Sequence, residues 1–108
     1  MMPIYNKLVR DRIPEVIEKT GKKFHATVLS QDVYIEELKK KSFEELEEYI
    51  AAETGAEALE ELADMFEILH AFAAVHGSTI QGVEKIRKEK EQKRGGFNER
   101  IFLVDVED

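Results

Sequence analysis

Phe43-Glu44-Glu45-Leu46-Glu47-Glu48-Tyr49-Ile50-Ala51-Ala52-Glu53-Thr54-Gly55-Ala56-Glu57-Ala58-Leu59-Glu60-Glu61-Leu62-Ala63-Asp64-Met65-Phe66 is the stretch that decides the fold. It reads as the end of one helix, a turn at Thr54-Gly55, and the start of a second. Thr54 with Glu57 three positions on fits a capping box at that second start. Glu45 and Glu48 are i, i+3 neighbours on the first helix, and Glu61 and Asp64 stand in the same relation on the second. Twelve residues, Tyr49 to Glu60, separate the two pairs. That is enough to finish one helix, turn and climb back to the same height, so four carboxylates are expected to meet across one antiparallel seam.

Upstream, a long helix is expected from Gln31, capped by Ser30, to Glu53, with Tyr34, Leu38, Leu46, Tyr49 and Ile50 as its apolar stripe. Ser42 and Glu45 also fit a capping box. No strong breaker lies between Lys39 and Phe43, however, so the helix is read as continuous. Downstream, Ala56–His76 carries Leu59, Leu62, Ala63, Phe66, Leu69 and Ala73 on one side. Met65, Ile68, Phe72 and Val75 widen that surface beyond a single stripe, which marks a central helix or one at a subunit interface. Gly77 ends it, Ser78 or Thr79 caps the next, and a polar helix follows over 80–93.

At the amino end, Asp11–Thr20 reads as a short helix capped by Asp11, with Pro14 in its first turn and Gly21 beyond its end. Phe24–Leu29 and Ile101–Val106 are β-prone and lack helical period, so they are read as strands able to pair in a minor antiparallel ribbon. The expected architecture is a single all-α domain over residues 1–108, an antiparallel helical bundle carrying that ribbon.

Composition narrows the function. Of 108 residues, 23 are acidic and 16 are Lys or Arg, a formal net charge of −7. Duplex nucleic acid, which is bound through Lys and Arg, is therefore not the expected partner. The chain has no cysteine, which removes disulfides, thiolate metal sites and cysteine nucleophiles. Met1-Met2-Pro3-Ile4-Tyr5-Asn6-Lys7 shows no basic-then-apolar leader, and no apolar run approaches a membrane span. A cytoplasmic location without membrane contact is the expectation. A lone domain of this size buries about two thirds of its chain surface, so self-association is expected as well.

The acidic constellation has a specific chemistry. Four converging carboxylates repel one another and raise their own pKa values, whereas Mg²⁺ or Mn²⁺ accepts hard oxygen ligands and keeps positions for water and phosphate. Asp64 interrupts the apolar run Leu62-Ala63-Asp64-Met65-Phe66, where an unpaired charge is costly. The plainer alternative is a solvated acidic helix face in an acidic chain. The histidines are read as a surface residue (His25) and as core or interface residues (His70, His76) rather than ligands.

These residues resemble the all-α NTP pyrophosphohydrolases of the MazG-like group. That family's signature is Glu-Glu-x-x-Glu, a spacer, then Glu-x-x-Asp, matched here by Glu44-Glu45-Leu46-Glu47-Glu48 and Glu61-Leu62-Ala63-Asp64 with a short spacer. Asn6-Lys7-Leu8-Val9-Arg10-Asp11-Arg12-Ile13-Pro14 and Lys90-Glu91-Gln92-Lys93-Arg94-Gly95-Gly96-Phe97 resemble its phosphoribosyl-ATP pyrophosphohydrolase-like subgroup. The resemblance implies Glu45, Glu48, Glu61 and Asp64 as Mg²⁺ (or Mn²⁺) ligands, and Glu44 or Glu60 as catalytic assistants that orient water. It also implies that Lys90 and Arg94 face substrate phosphates, with Lys7 and Arg10 as weaker candidates. Lys90 and Arg94 are one turn apart, a spacing that suits a phosphate clamp and equally a solvated basic helix end.

The implied activity is Mg²⁺-dependent hydrolysis of a nucleoside triphosphate to monophosphate and pyrophosphate, by water attacking at the α-phosphorus, in a homodimer or homotetramer. Nucleotide-pool cleansing is one role such an activity serves. Two alternatives stay open: phosphoribosyl-ATP pyrophosphohydrolase, and a non-catalytic helical dimerisation module whose acid serves solubility.

Overall fold

A computed structural model describes residues 3–108; Met1 and Met2, which open the stretch read for a leader, lie outside the described residues. Four helices follow in order: α1 (Ile13–Glu18), α2 (Gln31–Ala51), α3 (Gly55–Val75) and α4 (Ile80–Arg94). The all-α expectation holds. None of the four is long and apolar enough to cross a membrane.

α2 and α3, 21 residues each, form the helical hairpin that organises the chain, and α4 packs on α3. Their boundaries follow from local chemistry. The Thr54 side chain accepts a bond from the Glu57 N–H at 3.1 Å, while the Glu57 carboxylate accepts from the Glu53 N–H at 3.1 Å. The expected box therefore closes one residue further back than its usual form, which still satisfies two donors at the helix entrance. Thr79 caps α4 by accepting from the Gly82 N–H at 3.2 Å. α3 ends where Gly77 takes a φ of +71°, and α4 ends where Gly95 takes +79°; both are left-handed turns that favour glycine.

Several boundaries differ from expectation. α2 stops at Ala51, and Ser30 sits at its start without a side-chain cap. α2 is continuous through Ser42, whose hydroxyl donates to the Lys39 carbonyl at 2.6 Å. That bond back along the same helix replaces the alternative box with Glu45. α1 begins at Ile13 with Arg12, not Asp11, at its cap position and no capping side chain.

The β-ribbon is corrected outright: the described residues contain no strand, and 22–30 and 101–108 run as irregular chain. Two short β-prone segments need a third strand or a helix face to cover them before a sheet is favourable. Val28, Ile101, Phe102 and Val104 are almost fully exposed here, so no such cover exists within one chain.

The core is small. Among the described residues only Leu38 on α2 and Ile68 and Ala73 on α3 are buried apolar groups, and they are joined by one charged residue, Glu45. Much of the apolar stripe read from the sequence instead faces outward: Leu46, Tyr49 and Ile50 on α2, and Leu59, Leu62, Phe66 and Leu69 on α3.

Candidate metal centre at the α2–α3 seam

The hairpin brings three carboxylates together. One oxygen from each of Glu45, Glu61 and Asp64 lies within 4.8 Å of the others. Glu45 comes from α2 and the other two from successive turns of α3. Their convergence follows from the short turn 52–54, which returns the chain to the height it left. Glu48, one turn beyond Glu45, is exposed and lies outside this cluster, although its charge raises the carboxyls of both Glu45 and Glu61. Three of the four acidic residues singled out by their spacing thus meet on one seam.

The electrostatics of the seam are unfavourable as it stands. Glu45 is only 7% exposed, and one of its oxygens, Oε2, has no hydrogen-bond partner. Its other oxygen, Oε1, has the Lys41 ammonium at 3.9 Å. Burial, then the neighbouring acids Glu61, Glu48 and Asp64, push the Glu45 carboxyl up from 4.5 to about 7. Glu61 is also raised, first by the neighbouring Glu48 carboxylate and then by desolvation, and its Oε2 is a second buried oxygen without a partner. Two buried carboxylate oxygens without partners are costly unless something positive compensates them.

A divalent cation fits that donor set. Mg²⁺, Mn²⁺ and Ca²⁺ take carboxylate oxygens at about 2.0–2.6 Å, so two ligands of one ion stand at most about 5 Å apart, and the three oxygens here meet that limit. Glu45, Glu61 and Asp64 are the residues that could hold the ion.

Asp64 has an additional partner that spacing did not disclose. The Arg10 guanidinium donates through Nη2 to Asp64 Oδ1 at 2.7 Å, and its Nη1 lies 3.7 Å from Glu67 Oε1. Arg10 thus sits beside the carboxylates, in contact with one of the expected ligands. The Lys7 ammonium lies 5.7 Å from the Tyr5 ring centroid. Glu44 is exposed and pairs with Lys41 at 3.8 Å, and Glu60 is exposed on α3; neither belongs to the three-carboxylate cluster.

Lys90 and Arg94 share one face of α4, as the i, i+4 spacing requires. They line an open groove of about 520 Å³ with Arg87, Glu91, Gly95, Gly96 and Phe97. Arg87 is held by Glu84 at 2.6 Å and Glu91 at 2.5 Å, which leaves Lys90 and Arg94 as the groove's available cations. None of Glu45, Glu48, Glu61 and Asp64 lines that groove. The groove and the carboxylate cluster thus share no residue.

The histidines are all exposed. His70 meets Phe66 edge-on, with ring centroids 5.1 Å apart, and His76 sits at the end of α3. Of the core and interface placements read for these two, the core one is thus corrected: α3 turns them outward because only its Ile68 and Ala73 side is covered.

Comparison with models of protein families, with curated proteins and with solved structures finds no match to this chain.

Proposed function

We propose that the chain is a divalent-cation-dependent NTP pyrophosphohydrolase of the MazG-like kind, acting as a homo-oligomer. The observation that carries this reading is the set of three carboxylates with oxygens within 4.8 Å of one another, two of them with orphaned buried oxygens. A solvated acidic face does not bury its carboxylates, so that plainer account fits Glu44 and Glu47 but not Glu45.

In this reading Glu45, Glu61 and Asp64, with Glu48, hold Mg²⁺ or Mn²⁺. Bound there, the cation supplies charge neutralisation for the triphosphate and acidity for the attacking water. Glu44 and Glu60, exposed and outside the three-carboxylate cluster, have no part in this reading within one copy. Lys90 and Arg94 provide a basic surface for the phosphates, with Arg able to grip through two donors and Lys acting as a mobile point charge. The groove and the cluster share no residue, and this reading has the phosphates span from one to the other.

Self-association has separate physical support. The chain exposes 10212 Å², against roughly 6,200 Å² for a folded monomer of its mass. Its radius of gyration is 18.5 Å, where about 13 Å is typical of a compact chain this long. The irregular ends account for part of the surplus. The outward Leu59, Leu62, Phe66 and Leu69 of α3 account for another part, and a standard interface needs only about 800 Å² per partner. The same surface favours the competing reading of a non-catalytic dimerising module.

One experiment separates the two: purified protein incubated with NTPs, dNTPs and phosphoribosyl-ATP plus Mg²⁺ or Mn²⁺, with monophosphate and pyrophosphate followed directly. Metal-dependent release of both products supports the enzyme. No product across the panel together with no metal binding supports the module. Selective turnover of phosphoribosyl-ATP would narrow the substrate.

A further inference from the structure

We infer that Arg10 is an internal cation that neutralises Asp64 until a divalent ion takes its place, so that loading the seam releases the amino-terminal arm. The inference rests on the cation-binding reading of Glu45, Glu61 and Asp64.

The arm comprises residues 3–12 leading into α1. α1 packs on no other helix. Among the described residues, the Arg10–Asp64 bond is the only side-chain hydrogen bond joining positions far apart in sequence, a separation of 54; the others span four residues or fewer. The arm's polar attachment to the hairpin is therefore this guanidinium, gripping Asp64 at 2.7 Å and leaning toward Glu67 at 3.7 Å.

Asp64 cannot serve both partners at full strength. An oxygen drawn onto a doubly charged ion loses electron density for a guanidinium donor, and the ion repels a positive group within a few ångströms. Binding of the ion and binding of Arg10 are thus antagonistic, and the coupling is reciprocal: whatever the arm costs the ion, the ion costs the arm. The pair is suited to exchange because it is solvent-accessible, with Arg10 55% and Asp64 40% exposed. Such pairs are weak. Once displaced, the guanidinium stays beside the seam as a two-pronged donor with its carboxylate gone, ready for an anion brought in with the ion.

Mn²⁺ titration by calorimetry on the full chain and on Arg10→Gln tests the exchange. The variant should bind about two- to fivefold more tightly, the range that loss of a weak exposed pair permits, while Arg10→Lys stays near the parent. A dye on Tyr5→Cys, the only cysteine in that chain, reads the arm. Its anisotropy should fall on adding Mg²⁺ in the parent background and be low and unresponsive in Arg10→Gln. Mn²⁺ binding that is equal or weaker in Arg10→Gln overturns the inference and leaves the cation site standing. Tighter binding with an arm that does not respond to Mg²⁺ overturns the release. No Mn²⁺ binding to either protein overturns both the inference and the reading on which it rests.

Discussion

Glu45 on α2 and Glu61 on α3 each turn a buried carboxylate oxygen into the helix seam, and neither oxygen meets a hydrogen-bond donor. The hairpin has placed like charges where they repel, with Glu45 itself cut off from water. That is a destabilising arrangement for the chain alone, and its natural remedies are a proton or a metal ion.

The proton remedy sets a pH dependence. A carboxyl that holds its proton more tightly in the folded chain than in the unfolded one stabilises the folded chain wherever the proton is on. For Glu45 that contribution is whole below 4.5 and is lost as pH rises through about 7. Urea unfolding in metal-free buffer should therefore show Glu45's contribution falling between pH 4.5 and 7. Glu45→Gln, which carries no titrating proton, should flatten the slope in that window.

The metal remedy should act most strongly where the proton is gone. At pH 8, Mn²⁺ or Mg²⁺ at about 100 times its dissociation constant should stabilise the fold by about 2.7 kcal/mol, seen as a raised Tm that a chelator reverses. At pH 5 the same addition should do much less, because Glu45 is then protonated. Glu61→Gln should abolish the metal-induced shift at both pH values.

Glu48→Gln should remove hydrolytic activity yet leave apo stability unchanged or raised by up to about 1 kcal/mol, since it relieves repulsion with Glu61 and Glu45. Asp64→Asn should also remove activity. Its gain in apo stability is expected to be smaller, because the same change deletes the Arg10 pair. Chemical unfolding alongside a pyrophosphate-release assay separates the two effects, and full activity in either variant would refute its assignment as a ligand.

The outward face of α3 should be an interface between copies. Leu59 is 68% and Phe66 54% exposed in the single chain. Leu59→Glu or Phe66→Glu should convert an oligomer to monomer in size-exclusion chromatography with light scattering, while circular dichroism retains the helical signal. If the parent protein already runs as a monomer at working concentration, the proposed assembly fails.

Capping offers a purely structural check. Thr54→Ala deletes the acceptor for the Glu57 N–H and should cost about 1 kcal/mol by urea unfolding, within the 0.5–2 kcal/mol common for such caps.

The sequence by itself determined the helices and the pairing of their acids. Apolar period, the Thr54 and Thr79 caps and the glycines at 77 and 95 act over a few residues, and i, i+3 spacing across a short turn leaves little choice about where Glu45, Glu48, Glu61 and Asp64 go. Only the tertiary structure decided that Glu45 is the buried member, that Asp64 is shared with Arg10 from 54 positions away, and that Lys90 and Arg94 line a groove with Gly95, Gly96 and Phe97. It also decided against the ribbon, since strands depend on a partner that local propensity cannot supply. Apart from the groove, each of these outcomes turns on groups distant along the chain, whose meeting depends on how helices pack and not on what any one segment prefers.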